Sequence, residues 1–396
     1  MAPPESERKS AGCVCREEPP SCSSAAVCAE PPGEAKTDTK PCDHYDYGPA
    51  PWVVGRVTSP TGAVPQVSTT LTFRDRLGSW RVRWNIKRMD YRVAPGLYAV
   101  GRPNSGSPVL VTANYKLSFD SLRHALGGLD AWILVLDTRG VNVWCAAGKG
   151  TFSTDELARR VKEADLEHVV AHRRLIVPQL GASGVSAYLV RERCGFHVVY
   201  GPVRAADLPA FLATDLKATP DMRTVRFPFR DRVALIPLEA SIAWRWQTLA
   251  AVIVVAFLVG LGGSDALSAA AYGKRLGMLY GLVLLPVVGG SVIVPAALPF
   301  VPGRAFSTKG ALIGVVLAAV AVVVMRPVLP PLALGAVFFG VSAASSYLAM
   351  NFTGATPFTS PSGVEKEMRW ALPFQLGAGL VVVLLFVAQL VLQLVE

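Results

Sequence analysis

The chain has 396 residues, more than one hydrophobic core usually serves, so two domains plus any tail are expected. Hydrophobic residues make up 51% and mean hydropathy is +0.38, yet the charges lie almost wholly before Arg245, and long apolar runs follow it, which excludes a purely soluble enzyme. The net charge of +10 rises to +14 once the acidic first fifty residues are set aside, an excess that reads as juxtamembrane anchoring rather than as a nucleic-acid footprint.

Residues 1–50 mix Pro, Ser, Glu and Lys without apolar periodicity and are expected to be a disordered tail. No apolar stretch with a basic leader opens the chain, so this end is expected to stay in the cytoplasm. Cys13, Cys15, Cys22, Cys28 and Cys42 fall here, with gaps of one, six, five and thirteen residues. That spacing fits neither a paired C-x-x-C zinc site nor an iron-sulfur run. Reduced thiols are the simpler expectation; capture of a soft metal is the other.

Residues 51–237 have the composition of an α/β domain. The β-rich segments Val109 to Thr112, Ala131 to Leu136, Leu175 to Val177 and His197 to Tyr200 alternate with helical patterns at Phe119 to Leu126, Thr154 to Glu163, Val185 to Arg193 and Ala206 to Ala213. Such alternation predicts a mostly parallel sheet with helices on its faces. Ser153 and Glu156 spell a capping box for the second helix. The Trp-, Arg- and Thr-rich stretch from Val67 to Tyr98 reads as less regular β structure.

Residues 238–396 divide into five expected spans: Trp246 to Ser264, Leu276 to Gly303, Gly310 to Met325, Pro331 to Met350 and Ala371 to Val395. Lys309 and Arg326 are expected to snorkel from the ends of the third span. With the amino end inside, ten Lys and Arg residues flank the spans on the cytoplasmic side against Lys274, Arg275 and Arg326 outside, which places the domain in the cytoplasmic membrane with Glu396 on the far side. Pro286, Pro295, Pro299 and Pro302 interrupt the second span, but no span carries an acidic residue or Lys at mid-depth, which weighs against a transporter.

Ligands of open α/β sheets collect beyond the carboxyl ends of the strands, and the run that follows Ala131 to Leu136 is Asp137 to Lys149. It holds a single Cys145 among Ala146, Ala147 and Gly148. By residue type alone such a cysteine is a small buried hydrophobe as readily as a reactive group. The small neighbours would let a bulky planar ligand approach the backbone, and a helix turn starting there, with Lys149, would favour a thiolate. No His or Asp partner adjoins it for a nucleophilic dyad, so a ligand role is preferred to a hydrolytic one. Cys194 has no such neighbours and reads as structural.

Asn142, Val143, Trp144, Cys145, Ala146, Ala147, Gly148 and Lys149 form the run NVWCAAGK, which resembles the signature of the HgcA family, membrane-bound corrinoid proteins of microbial mercury methylation. The resemblance extends through Ala113 to Asp120, Leu134 to Gly140, Gly195 to Leu212 and the loop Asn351 to Gly363. The soluble part is also similar to the corrinoid domain of the corrinoid iron-sulfur protein of acetyl-CoA synthesis, which has Thr where this chain has Cys145. The resemblance implies a Rossmann-like corrinoid-binding cytoplasmic domain followed by an all-α domain of five transmembrane helices. It implies that these eight residues bind cobalamin, with Cys145 as axial ligand of the cobalt and the cofactor's own base detached. A thiolate donor favours departure of a methyl group with its electron pair, and the soft Hg(II) ion would accept it, giving methylmercury.

The same resemblance implies an HgcB-type ferredoxin as electron source, a folate-linked methyl donor, and membrane lipid as the surroundings of the second half. The loop Asn351 to Gly363, rich in hydroxyls and Gly, is expected to face the corrinoid domain; otherwise it is a solvated connector. The tail's cysteines inherit no role. Two other classes remain: a membrane-tethered corrinoid methyltransferase with another acceptor, and a non-enzymatic sensor sharing only the architecture.

Overall fold

A computed structural model describes residues 50–260, 268–352 and 361–395. The tail, its five cysteines and positions 353–360 of the long loop lie outside the described residues. The first half is built on seven strands, β1 (Val53–Ser59), β2 (Gly62–Val67), β3 (Gly96–Val100), β4 (Val109–Ala113), β5 (Ala131–Leu136), β6 (Arg174–Val177) and β7 (His197–Tyr200). They form one sheet in the order β1-β2-β3-β5-β4-β6-β7. The pairs β2/β3, β4/β5, β4/β6 and β6/β7 are parallel; β1/β2 and β3/β5 are antiparallel.

β4 and β5 are buried at every position, and their sequences VLVTA and AWILVL are continuous apolar runs, as strands covered on both faces require. On one face pack Phe119 and Leu122 of α2 (Lys116–Ala125) and Leu208 and Phe211 of α7 (Leu208–Ala213). The other face is covered from α3 (Val143–Gly148), α4 (Thr154–Glu163), α5 (Leu166–Val169) and α6 (Ala187–Cys194), whose Ala146, Leu157, Val161, Leu166 and Val190 enter a second core. The chain leaves β4 for β5 on one side and returns across it to β6 on the other. The carboxyl end of β4 is therefore a topological switch point, where open α/β sheets hold ligands.

Two expectations are corrected here. The stretch from Val67 to Tyr98 is not mainly β: it contains α1 (Phe73–Arg83), capped by Thr72, whose Oγ accepts from the Asp75 N–H while the Asp75 carboxylate accepts from the Thr72 N–H. The pattern misleads because α1 turns a charge inward; of its residues only Asp75 and Val82 are buried. Asp75 joins Lys116, Asp120 and Arg123 in a buried ion network, with Lys116 Nζ 2.7 Å from both carboxylates and Arg123 Nε 2.7 Å from Asp120. The second correction concerns the Ser153 box. Ser153 accepts from the Glu156 N–H, but the Glu156 carboxylate does not reach back; it accepts instead from the Asp137 N–H at 2.8 Å, at the end of β5.

Short turns α8 (Pro220–Arg223), α9 (Phe229–Val233) and α10 (Ile236–Ala240) lead to the helical half: α11 (Trp246–Gly260), α12 (Ala269–Pro286), α13 (Val294–Ala296), α14 (Phe306–Met325), α15 (Pro331–Asn351) and α16 (Pro361–Val395). Among the described residues four helices are long and apolar enough to cross a membrane, and Phe229–Trp244 with Trp246–Leu258, bent by 41°, make a fifth if taken as one. The second runs from Ala269 to Ala296, earlier than expected, so Lys274 and Arg275 lie within it and Pro299 and Pro302 beyond its end. A π-helical turn, Val287–Ile293, absorbs Pro286. Lys309 does not snorkel: it is buried and donates to the carbonyls of Leu298 and Val301, closing the frayed end after α13.

α14 and α15 approach through small residues. A Cβ on Gly310 would stand 2.6 Å from that of Ala349, and one on Gly314 2.7 Å from that of Ser345, the close backbone contact that a G-x-x-x-G pattern permits. Between α11, α12, α15 and α16 lies an apolar cavity of about 870 Å³, lined among the described residues by side chains such as Val252, Leu282, Val341 and Phe386.

Candidate functional site

β5 delivers the chain to the switch-point edge, and the six residues that follow, Asp137 to Asn142, are fixed by one buried side chain. Asn114, fully buried directly after β4, donates from Nδ2 to Asp137 Oδ1 at 3.0 Å. Its Oδ1 accepts from the Thr138 N–H (3.2 Å), the Thr138 hydroxyl (2.9 Å) and the Gly140 N–H (2.8 Å). The Val141 carbonyl lies 2.7 Å from the same hydroxyl, so the one Thr138 proton is shared between this carbonyl and Asn114 Oδ1. Gly140 sits at φ +77°, where a Cβ would also meet Arg92 Cγ at 2.8 Å, so this corner takes glycine for two reasons.

The loop ends in α3. Asn142 is its cap: Oδ1 accepts from the Cys145 N–H at 2.9 Å, and the Asn142 carbonyl accepts from the Ala146 N–H at 2.8 Å. Of the eight residues singled out in sequence, Val143, Ala146 and Ala147 turn into the core as anchors. Trp144, Gly148 and Lys149 are exposed, and Cys145 is half-buried and free of any disulfide. A helix turn does exist here, but it begins at Val143, before Cys145, rather than at the small residues after it, so Ala146 to Gly148 form its end and Lys149 its C-terminal cap. Its back rests on the turn Gln179–Gly181 and on Gly184, where a Cβ would stand 3.0 Å from Ala147 Cα.

Sequence reasoning missed Asn114, Glu156 and Tyr115 as parts of this site. The signal for the first was an amide placed at the carboxyl end of an apolar strand. Tyr115 is buried, with the Arg88 guanidinium 5.7 Å from its ring centre. Burial pushes its phenol up, with Arg88 and Arg83 pulling against this. Cys194 is different: its thiol donates to the Val190 carbonyl at 3.2 Å, and burial pushes it up, against Phe196 and Lys162.

A broad planar cofactor needs open backbone and a soft donor beside it. Gly148 and Gly150 have no atom within 4 Å of where a Cβ would stand, and Cys145 supplies the free thiol between the inward-turned Val143 and Ala146. The residues present fit such a group.

Residues 84–212, which hold the switch-point edge and α3, match the family model described as CO dehydrogenase/acetyl-CoA synthase delta subunit. The acetyl-CoA decarbonylase/synthase complex subunit gamma of Methanopyrus kandleri is 35% identical over 127 residues, 32% of this chain and 27% of that protein. The same subunit of Archaeoglobus fulgidus is 31% identical over 136 residues, 33% and 28% of the two chains. The corrinoid/iron-sulfur protein large subunit of Moorella thermoacetica is 30% identical over 141 residues, 35% and 31%. The chain thus spans less than a third of the length of these relatives, and the family-model match, which ends at residue 212, stops short of the apolar helices.

Proposed function

We propose that this chain is a membrane-tethered corrinoid methyltransferase that passes a methyl group to Hg(II), forming methylmercury. What carries the reading is the free, half-buried Cys145 on a side-chain-capped turn at the switch-point edge, within residues 84–212 that match the CO dehydrogenase/acetyl-CoA synthase delta subunit family, in a chain similar to a corrinoid/iron-sulfur protein large subunit. A corrinoid bound there would supply a cobalt-held methyl group that leaves with its electron pair to an electrophile.

The protein's own residues have separate tasks. Cys145 would hold the cobalt through Sγ, a soft donor suited to it. Asn142 fixes the Cys145 backbone by accepting its N–H, while Val143, Ala146 and Ala147 anchor the turn in the core. Trp144, Gly148 and Lys149 leave the outer surface of α3 for the cofactor's edge. Asn114, Thr138 and Gly140 hold the loop that carries this turn. Hg(II) is the substrate; an HgcB-type ferredoxin is proposed as electron donor and a folate-linked enzyme as methyl source. The helices α11 to α16 would anchor the chain in the cytoplasmic membrane with the sheet domain in the cytoplasm.

The test is the visible spectrum of the purified full chain after incubation with cobalamin, beside Cys145→Ala and Cys145→Thr. The expected result is a bound corrinoid in the natural chain whose spectrum changes in both variants. A chain that binds no corrinoid, or a spectrum indifferent to position 145, would overturn the reading.

A further inference from the structure

α1 is inside out. It is held to α2 by charge, through Asp75 in the network with Lys116 and Arg123, and it leaves its large apolar side chains outside. Phe73, Leu77 and Trp80, respectively 78%, 43% and 57% exposed, recur at steps of four and three residues and so form one stripe. Ile86 and Met89 extend the exposed apolar surface past the end of the helix. A helix that buries a carboxylate and shows Phe, Leu and Trp to its surroundings has a second apolar phase to meet.

Two observations say what that phase is. The first is charge: Arg74, Arg76, Arg81, Lys87 and Arg88 surround the stripe and form no ion pair among the described residues. Asp75 is consumed inside, and Asp90 is the one other acid between Phe73 and Asp90. The second is continuity. Trp80 stacks near Trp84 at 5.9 Å, and Trp84 meets Trp244 at 5.3 Å. Trp244, Arg245 and the 73% exposed Trp246 stand where α11, the first of the mainly apolar helices, begins. Arg83 ties the same edge by donating to the Ala234 carbonyl at 3.2 Å.

We propose that α1 and the turn after it lie on the bilayer surface and bind anionic phospholipid headgroups, with Phe73, Leu77 and Trp80 in the interfacial layer and the arginines among the phosphates. Mixed Trp and Arg beside the start of a spanning helix suit this boundary, where amphipathic rings and basic side chains both find partners. The same contact would fix the height of the switch-point edge above the membrane, because Met89 and Arg92, just after α1, abut Gly140 in the loop that carries α3. The inference rests on the reading that α11 to α16 cross a membrane.

Full-length protein with a fluorescent non-canonical amino acid at Leu77, or at the 75% exposed Tyr188 on α6 as control, is reconstituted in vesicles of phosphatidylcholine with and without phosphatidylglycerol. Headgroup-level spin-labelled lipid serves as quencher. In the anionic vesicles, quenching at Leu77 is expected to exceed that at Tyr188 several-fold. The combined Arg74→Glu, Arg76→Glu and Arg81→Glu variant, which leaves the buried network and the apolar helices intact, is expected to lose most of the quenching while still floating with the vesicles. Equal quenching at the two positions, or quenching blind to the charge reversal, overturns the surface contact alone. Protein that does not float with the vesicles overturns the membrane reading beneath it.

Discussion

Asn114 gives the loop from Asp137 to Asn142 its course, since one amide serves the Asp137 side chain, two backbone N–H groups and the Thr138 hydroxyl. Asn114→Ala would leave the N–H groups of Thr138 and Gly140 buried without their acceptor, at a cost of roughly 1–3 kcal/mol per unsatisfied group. The expected outcome is a loop and α3 that exchange amide hydrogens faster in the full chain while β4 and β5 keep their protection. Unchanged exchange at Thr138, Gly140 and Cys145 would show that the amide is dispensable. At this scale what was legible is position: Cys145 stood out as the one thiol among small residues after β5, and the structure puts it, half-buried and free of a disulfide, on the turn that follows that strand. Asn114 and Glu156 were not legible, because their partners lie 23 to 26 and 19 residues away and become neighbours only when β4, β5 and α4 assemble.

Among elements, β5, β7 and α4 were legible to the residue, since unbroken apolar runs and a regular amphipathic pattern follow from local sequence. α1 was not, because its buried side is ionic and its apolar stripe faces out. Its attachment is pH-sensitive. Burial alone would raise the Asp75 carboxyl, but Lys116 and the Thr72 cap outweigh it and hold it well below the ordinary 3.8. A carboxyl depressed on folding contributes stability that is present above its unfolded value and lost as pH falls below it. Asp75→Asn should therefore loosen α1 strongly at neutral pH, by roughly 3–5 kcal/mol as for a broken buried pair, and the difference from the natural chain should shrink as pH drops below 3.8. Hydrogen exchange of residues 73–83, compared between the two proteins at each pH, reads this directly; a constant difference down to the acid end would refute the ionic attachment. The helical half offers a parallel case. Gly314→Leu would drive a side chain into Ser345 and Ser342 of α15, and the expected result is a lower thermal midpoint and separation of α14 from α15 in cross-linking at that level. An unshifted midpoint would mean the two helices do not depend on that contact.

Over the whole molecule, a switch-point sheet and a set of apolar helices are joined by a connecting segment that also touches the site's surroundings. Arg223 donates to Gln179 in the turn behind α3, and Arg204 pairs with Asp231 at 2.7 Å. The number and limits of the apolar helices were only partly legible, since proline positions suggest breaks whereas the π-helical turn carries the second helix through Pro286, and the first expected span corresponds to a bent pair of helices that is long enough only if taken as one. The joining contacts were not legible at all, being made by scattered Arg, Trp and backbone carbonyls with no local pattern. The central claim is that Cys145, presented by this assembly, directs a corrinoid-borne methyl group to mercury. The most direct measurement is methylmercury formed from Hg(II) by the reconstituted full chain loaded with methylcobalamin, compared with Cys145→Ala inserted to the same level. Methylmercury from the natural chain and none above background from the variant is the predicted result; equal yields from the two would contradict it.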